Sequence, residues 1–372
     1  MIQVHVVRAR SGLALRLGIA LALTLVGCRK ASERTTALPE GVGMREGEAV
    51  AQQRPTALYT AKFVIRALAV DGNDLYVSGL RFPKPPKPGE AAPAPDAPAA
   101  LPTGVIMKVP LLGVPTELAS GEFIPMDKLE LVDGRVYWHQ RDDSPAGAGL
   151  RSIASAGGEV EQVSSKSGDS WVIVDDVVYF TRPFDEIDEG GFYRLELGSA
   201  KARPKLVARR KGVARSLLAD AEGHVYWLTR KRRDGTWAVF EWDGDRSGTE
   251  VLQSDETFAS LMIDGQDFLW VTWAEDEGQP LHSLYRRQIH AQGDARGDTQ
   301  VLARKLGPPG FMSVFTDERH IYLGTVQGGE LRRLARGGGE VEVVAGSGDR
   351  MALDNRNNLF WVEGQQVFWR GK

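Results

Sequence analysis

The amino-acid sequence predicts an all-β fold, a ring of about seven β-propeller blades with four antiparallel strands each. Three observations support this prediction. An apolar strand that reaches an aspartate, followed by an apolar-aromatic strand, occurs seven times in the chain. Four of the six intervals between these aspartates measure 37 to 45 residues, and two further strands fit into each repeat. This period, with β-branched and aromatic strands, is typical of propeller blades.

Each copy of the repeat contributes one aspartate at the turn between its first two strands. The seven residues are Asp71, Asp133, Asp175, Asp220, Asp264, Asp317 and Asp354. We expect each of them to cap its own turn by side-chain to backbone hydrogen bonds. A shared metal ring is the weaker interpretation, because one turn per blade leaves the carboxylates too far apart. The 53-residue interval from Asp264 to Asp317 leaves six or eight blades as alternatives.

The two ends of the domain, predicted to span residues 58–372, are expected to meet in one blade. After Asp354 the sequence has room for only two more strands, so the last blade lacks its outer strand. The segment Ala57 to Thr60 precedes the first repeat and can supply that strand. Such a closure would leave no free strand at the ends of the ring.

The first 27 residues have the layout of a signal peptide. Arg8, Arg10 and Arg16 precede an apolar run from Leu17 to Val26. That run is about ten residues long, whereas a helix that spans a membrane needs roughly 20. A cleaved signal peptide is therefore favoured over a permanent transmembrane helix.

The stretch Leu25-Val26-Gly27-Cys28 resembles the lipobox of bacterial lipoproteins. The resemblance implies that Cys28 is lipidated, with palmitate among its acyl chains, and becomes the mature N-terminus. Several acyl chains give a stable membrane anchor. Because Arg29 is not aspartate, the resemblance favours the outer membrane within the cell envelope. Residues 28–57 are polar and lack periodicity, which predicts a lipidated flexible tether.

Charge and cysteine content exclude several classes of function. Cleavage before Cys28 removes three arginines and no acidic residue, so the formal charge moves from −3 to −6. An acidic protein of this kind lacks the basic footprint of a nucleic-acid partner. Cys28 is the only cysteine, so no intramolecular disulfide can form. We predict no cofactor and no metal.

The repeat resembles propeller families with a Tyr-Trp dipeptide, the YWTD and NHL types, and more loosely the PQQ-type and TolB-like propellers. The matching positions are Asp133-Gly134 with Tyr137-Trp138, Asp220 with Tyr226-Trp227, and Asp354 with Phe360-Trp361. The dipeptide is not followed by Thr-Asp in this chain. The resemblance therefore implies the fold, and it implies no family ligand.

The candidate binding face consists of the loops between second and third strands, which share one end of the ring with the connections between blades. Loops displayed together on a rigid scaffold often carry function. Plain solvation of these charged loops is the alternative. The candidate residues are Asp142, Asp143, Asp185, Glu186, Asp188, Arg232, Trp273, Glu275 and Asp276. A Pro/Ala-rich insertion, residues 81–103, belongs to the same face.

The leading functional hypothesis is a non-enzymatic binding or scaffold module for a protein or glycan partner. The sequence contains none of the common motifs for a nucleophilic serine, a zinc protease or a phosphate-binding loop. Propeller enzymes assemble their sites from distant blades, so a lyase, hydrolase or quinoprotein centred on the channel remains the alternative.

Overall fold

In the computed structural model, the described residues are 55–84, 101–140, 147–165, 167–168, 170–183, 189–198, 203–211, 214–231, 235–242, 248–276, 279–289, 299–306, 312–325, 329–346, 348, 350–354 and 358–370. These residues form 28 strands in seven four-stranded antiparallel sheets, one for each blade. The predicted number of blades is confirmed. Among the described residues no helix is long and apolar enough to cross a membrane.

The strands follow the chain from blade to blade, except that the first strand, β1 (Thr56–Thr60), belongs to the last blade. Blade 1 comprises β2 (Val64–Asp71), β3 (Asp74–Arg81), β4 (Thr103–Pro110) and β5 (Thr116–Gly121). Blade 2 comprises β6 (Pro125–Val132), β7 (Arg135–Gln140), β8 (Gly149–Ala154) and β9 (Glu161–Ser164). Blade 3 comprises β10 (Trp171–Val174), β11 (Val177–Pro183), β12 (Glu189–Glu196) and β13 (Lys205–Lys211).

The second half of the ring has the same organisation. Blade 4 comprises β14 (Ala214–Ala219), β15 (Val225–Arg230), β16 (Trp237–Trp242) and β17 (Thr249–Ser254). Blade 5 comprises β18 (Thr257–Asp264), β19 (Asp267–Asp276), β20 (Gln279–Gln288) and β21 (Gln300–Arg304). Blade 6 comprises β22 (Met312–Thr316), β23 (His320–Thr325), β24 (Leu331–Ala335) and β25 (Glu342–Ala345). Blade 7 comprises β26 (Met351–Leu353), β27 (Leu359–Glu363), β28 (Gln366–Arg370) and β1.

Closure of the ring depends on the pairing of β1 with β28. The strands are antiparallel, with Thr56 opposite Trp369 and Tyr59 opposite Val367. The outer strand of blade 7 therefore comes from the segment that the sequence predicted for it. The strand begins one residue earlier than expected, at Thr56.

The hydrophobic core lies between neighbouring blades, where the flat sheets face each other. One cluster joins Tyr226 and Leu228 of blade 4 to Phe268 and Trp270 of blade 5, and the rings of Tyr226 and Phe268 meet edge to face at 5.3 Å. The aromatic residues that follow each turn are buried, and they pack blade against blade. Large rings suit this position because they bury much apolar area between sheets.

The seven repeated aspartates occupy three different positions in their turns. Asp220, Asp317 and Asp354 are buried, and each accepts a backbone N–H bond from the turn that it caps. The predicted capping role is confirmed for these three. The other four lie at two-residue hairpins: Asp71 and Asp264 are the last paired residues of their strands, and Asp133 and Asp175 occupy the first loop position with φ of 48° and 49°. A single repeated residue thus serves three turn geometries.

The ring has two ends that differ in the loops they carry. The turn face contains the hairpin turns between first and second strands and between third and fourth strands. The loop face contains the loops between second and third strands and the connections between blades. One such connection passes close over blade 1, where a Cβ atom on Gly104 would lie 2.1 Å from the carbonyl oxygen of Phe123.

Candidate functional site

The hairpin of β19 and β20 is the most extended one described on the loop face. Each strand has ten residues, whereas no other described strand has more than eight. The strands remain paired to their ends, where Asp276 lies opposite Gln279. Continuous pairing makes this hairpin a firm support for side chains beyond the body of blade 5.

Trp273 lies near the end of this hairpin and is 42% exposed. Its partner across the strands is His282. Side chains of directly opposite residues share one face of a sheet. Because Leu269, Val271 and Leu284 on the same face pack against blade 6, Trp273 lies at the loop-face end of the interface between blades 5 and 6.

His282 is buried beneath this end of the sheet, with 3% of its surface exposed. Within the part of the chain that the structure describes, neither ring nitrogen has a partner in hydrogen-bond geometry. Burial lowers the pKa of His282, and the nearby backbone of Thr272 offsets part of that lowering. The imidazole is therefore a neutral group in the interface between blades 5 and 6 at physiological pH.

The opposite face of the same hairpin carries an oriented carboxylate. Glu256, in the connection from blade 4, accepts a hydrogen bond from the hydroxyl of Thr272 and another, at 3.1 Å, from the hydroxyl of Tyr285. The Tyr285 ring stacks on Trp270 with centroids 5.4 Å apart. Burial and the neighbouring carboxylate of Glu256 both raise the pKa of Tyr285, which keeps its hydroxyl a donor.

We call these five residues, Glu256, Thr272, Trp273, His282 and Tyr285, the blade 5 rim. The rim combines an exposed aromatic surface with a half-buried acceptor whose orientation is fixed by two hydroxyl donors. Such a combination suits recognition, in which an apolar surface contributes affinity and fixed polar groups contribute specificity. It does not by itself supply a nucleophile with a general base.

Of the residues predicted for the binding face, Trp273 is the one whose side chain the structure describes. Glu275 and Asp276 form the end of β19, and the description there is limited to the backbone. The remaining predicted positions lie outside the described residues: Cys28, Asp142, Asp143, Asp185, Glu186, Asp188 and Arg232. The insertion at 81–103 joins β3 to β4, and its residues 85–100 also lie outside the description.

Trp171 and His139 both have structural roles. Trp171 is 2% exposed, and the Lys128 ammonium lies 4.2 Å from the centre of its ring. Lys128 also donates to the carbonyl of Trp171 at 2.7 Å, which ties blade 2 to blade 3. His139 is buried, and its Nε2 lies 2.8 Å from the carbonyl oxygen of Ser167. Neither side chain is available as an exposed contact.

One group of side chains on the turn face has the composition of a metal site. Potential ligand atoms of Asp220, Glu222 and His224 lie within 4.8 Å of one another. The Asp220 carboxylate is already occupied, however: Oδ1 accepts from the backbone N–H of His224, and Oδ2 lies 3.0 Å from the Tyr226 hydroxyl and 2.8 Å from His224 Nδ1. These hydrogen bonds indicate that the Asp220 carboxylate stabilises the turn between β14 and β15.

The sequence reasoning missed Glu256, Thr272 and Tyr285. They belong to the blade connection and to two different strands, and no motif joins them in the sequence. The prediction of Trp273 as a binding-face residue was the signal that pointed to this part of the molecule. The partners of Glu256 follow only from the strand register that places Thr272 and Tyr285 on one face of the β19–β20 hairpin.

Comparison with known proteins identifies the fold and leaves the family open. No protein family model matches the sequence, and no curated protein matches it. The propeller domain of the Trilobed protease from Pyrococcus furiosus, which has an open velcro topology, is similar with a TM-score of 0.54 and 10% identity. The alignment covers 84% of this chain and 97% of that domain.

Two further solved structures are similar to the same extent. The β-propeller domain of Cps50 (Swd1) from Myceliophteria thermophila has a TM-score of 0.53 at 11% identity, with 86% of this chain and 99% of that domain covered. A prolyl endopeptidase has a TM-score of 0.52 at 11% identity, and the alignment covers 81% of this chain but only 45% of that enzyme. At these identities the similarity establishes a β-propeller fold and no activity.

Proposed function

We infer that this protein is a binding module, held by a lipid at a bacterial cell envelope, that contacts a protein or glycan partner through the blade 5 rim. The observation that carries the inference is the exposed Trp273 at the end of the longest described hairpin. Tryptophan is enriched among the residues that dominate binding energy at interfaces. Its flat ring also offers an apolar surface to the C–H face of a sugar.

The polar half of the rim supports the same function. Glu256 is an acceptor fixed by Thr272 and Tyr285, so it needs little reordering when a partner donates a hydrogen bond. Preorganised groups improve affinity because less side-chain entropy is lost on binding. A hydroxyl of a glycan and an amide of a protein are both suitable donors.

The proposed anchor would restrict where the partner is found. A flexible tether of the length of residues 28–57 has a root-mean-square span of about 30 Å. Lipidation at Cys28 would therefore keep the propeller close to the membrane surface, and the outer membrane is the favoured location. We propose that the partner is itself an envelope component.

Site-specific photocrosslinking in the native host tests this function. A benzophenone amino acid replaces Trp273 in the full chain, and a matched variant carries it at Leu112, which is 99% exposed on the turn face. We expect a discrete adduct from position 273 only, and digestion of that adduct with protease or glycosidase will identify its class. Absence of an adduct at 273, or the same adduct from both positions, would contradict the proposal.

A further inference from the structure

A basic segment includes the outer strand of blade 3 in this acidic protein. From Leu197 to Lys211 the sequence contains six lysine or arginine residues and no aspartate or glutamate. The chain as a whole has a formal charge of −3, so this segment is a strong local departure from the average. Strand β13 lies within it.

The structure places β13 at the outer edge of its sheet. The strand order of blade 3 is β10-β11-β12-β13, so among the described strands β13 has a hydrogen-bonded neighbour on one side only. The backbone groups on the other side of an edge strand can pair with an additional strand. Arg203, Lys205 and Leu206 are exposed beside this edge, and 71% of the Lys205 side chain is accessible.

Acidic neighbours compensate the positive charge only in part. The Lys205 ammonium lies 3.8 Å from Glu196, whose side chain is 52% exposed, and Glu189 stands opposite Lys211 in the strand register. Exposed pairs of this kind contribute little free energy because water screens them. The sequence of β13 has four basic residues and no acidic one, which gives this edge an excess of positive charge.

The other outer strands differ from β13 in charge. Four of them, β5, β9, β17 and β25, carry glutamate and no basic residue, while β1 has no charged residue and β21 has one arginine. Charge of either sign protects an edge from aggregation. Protection from aggregation explains why outer strands carry a charge. It does not explain why four of the seven residues of β13 are basic.

We propose that β13 is a docking edge that accepts an extended, acidic peptide segment of a partner protein by strand addition. Backbone hydrogen bonds to the edge would supply affinity, and carboxylates of the peptide would pair with the lysine and arginine side chains. This surface lies on the outer circumference of the ring. It is separate from the blade 5 rim, and the proposal does not depend on the function inferred for that rim.

Fluorescence polarisation with a defined peptide tests the proposal. The probe is a labelled octapeptide of alternating glutamate and valine, titrated with the full chain at low and at physiological salt. We expect saturable binding that weakens with salt. The double variant Arg203→Glu/Lys205→Glu should bind at least tenfold more weakly, whereas Arg304→Glu, an exposed charge reversal on outer strand β21, should change the affinity less than twofold.

A second probe separates strand addition from simple charge attraction. The same octapeptide, N-methylated at alternate residues, keeps its carboxylates but loses the backbone donors on one edge. We expect it to bind at least tenfold more weakly than the unmodified peptide. Equal binding of both peptides, equal effects of the two variants, or no peptide binding together with preferential binding to phosphatidylglycerol over phosphatidylcholine vesicles would overturn the proposal.

Discussion

The guanidinium of Arg336 in blade 6 donates a hydrogen bond to the carboxylate of Asp264 in blade 5. The same guanidinium donates to the carbonyl of Asp317 at 2.7 Å, and the hydroxyl of Thr316 donates to Asp264 at 3.0 Å. The Asp264 side chain is only 11% exposed. Two blades are thus joined on the turn face by a partly buried ion pair.

Replacement of Arg336 by alanine is expected to lower the free energy of unfolding by about 1–3 kcal/mol, because it leaves a mostly buried carboxylate without its cation. Chemical denaturation measures the change. Arg333→Ala is the matched control on β24, since its ion pair with Glu342 involves a carboxylate side chain that is 61% exposed. The control should change stability by less than about 0.5 kcal/mol. Equal losses in the two variants would contradict the assigned role of Arg336.

Gly104 is expected to tolerate no side chain. A Cβ atom there would approach the carbonyl oxygen of Phe123 to 2.1 Å, so the connection between blades 1 and 2 must move. Gly104→Ala should therefore cost about 1–3 kcal/mol of unfolding free energy. Gly337→Ala is the control, because a Cβ atom at Gly337 meets no atom within 4 Å. A neutral Gly104→Ala variant would show that this connection is not held closely against blade 1.

The turn of blade 4 should make stability depend on pH. The hydrogen bond to Asp220 raises the pKa of His224 above its ordinary value of 6.5. A raised pKa in the folded state means that the stabilisation is complete below the unfolded-state pKa and is lost as pH rises through the folded-state value. The stability difference between wild type and His224→Gln should thus be larger at pH 5.5 than at pH 8.5. A difference independent of pH would contradict this pairing.

His282 should have the opposite pH dependence. Burial lowers the pKa of its imidazole below 6.5, so the unfolded chain takes up the proton first and the folded state loses stability as pH falls below about 6.5. His282→Leu removes that loss. The variant should gain stability relative to wild type between pH 7.5 and pH 5, measured by urea denaturation at each pH. A constant difference over this range would show that the ring is solvated.

The predicted anchor can be tested independently of the propeller. If Cys28 carries the lipid, Cys28→Ser should release the protein from the membrane fraction and abolish its labelling by an alkyne fatty acid. Ser32→Ala, four residues away in the predicted tether, should leave both properties unchanged. Membrane retention and labelling of the Cys28→Ser variant would exclude lipidation at this residue.

The repeat made the fold accessible from the sequence, because every blade needs the same alternation of buried residues. Even the pairing that closes blade 7 followed from a count of strands. The positions of the four hairpin aspartates could not be predicted. Asp133 and Asp71 differ by one residue in hairpin register, and register depends on the partner strand. The contact between Glu256 and Tyr285 also depends on strand register, so it was not predicted, whereas Trp273 was predicted as a binding-face residue.

The pairing of Thr56 with Trp369 also sets the order in which this protein can fold. Blade 7 takes its outer strand from the start of the domain and its other strands from about 300 residues further along the chain, so it cannot be completed before β28 has left the ribosome. Six blades can assemble during translation, whereas the ring closes through the pairing of β1 with β28 only after residue 370 has been synthesised. Until then β1 lacks its partner strand β28, and its unpaired edges can pair with a second copy of the chain.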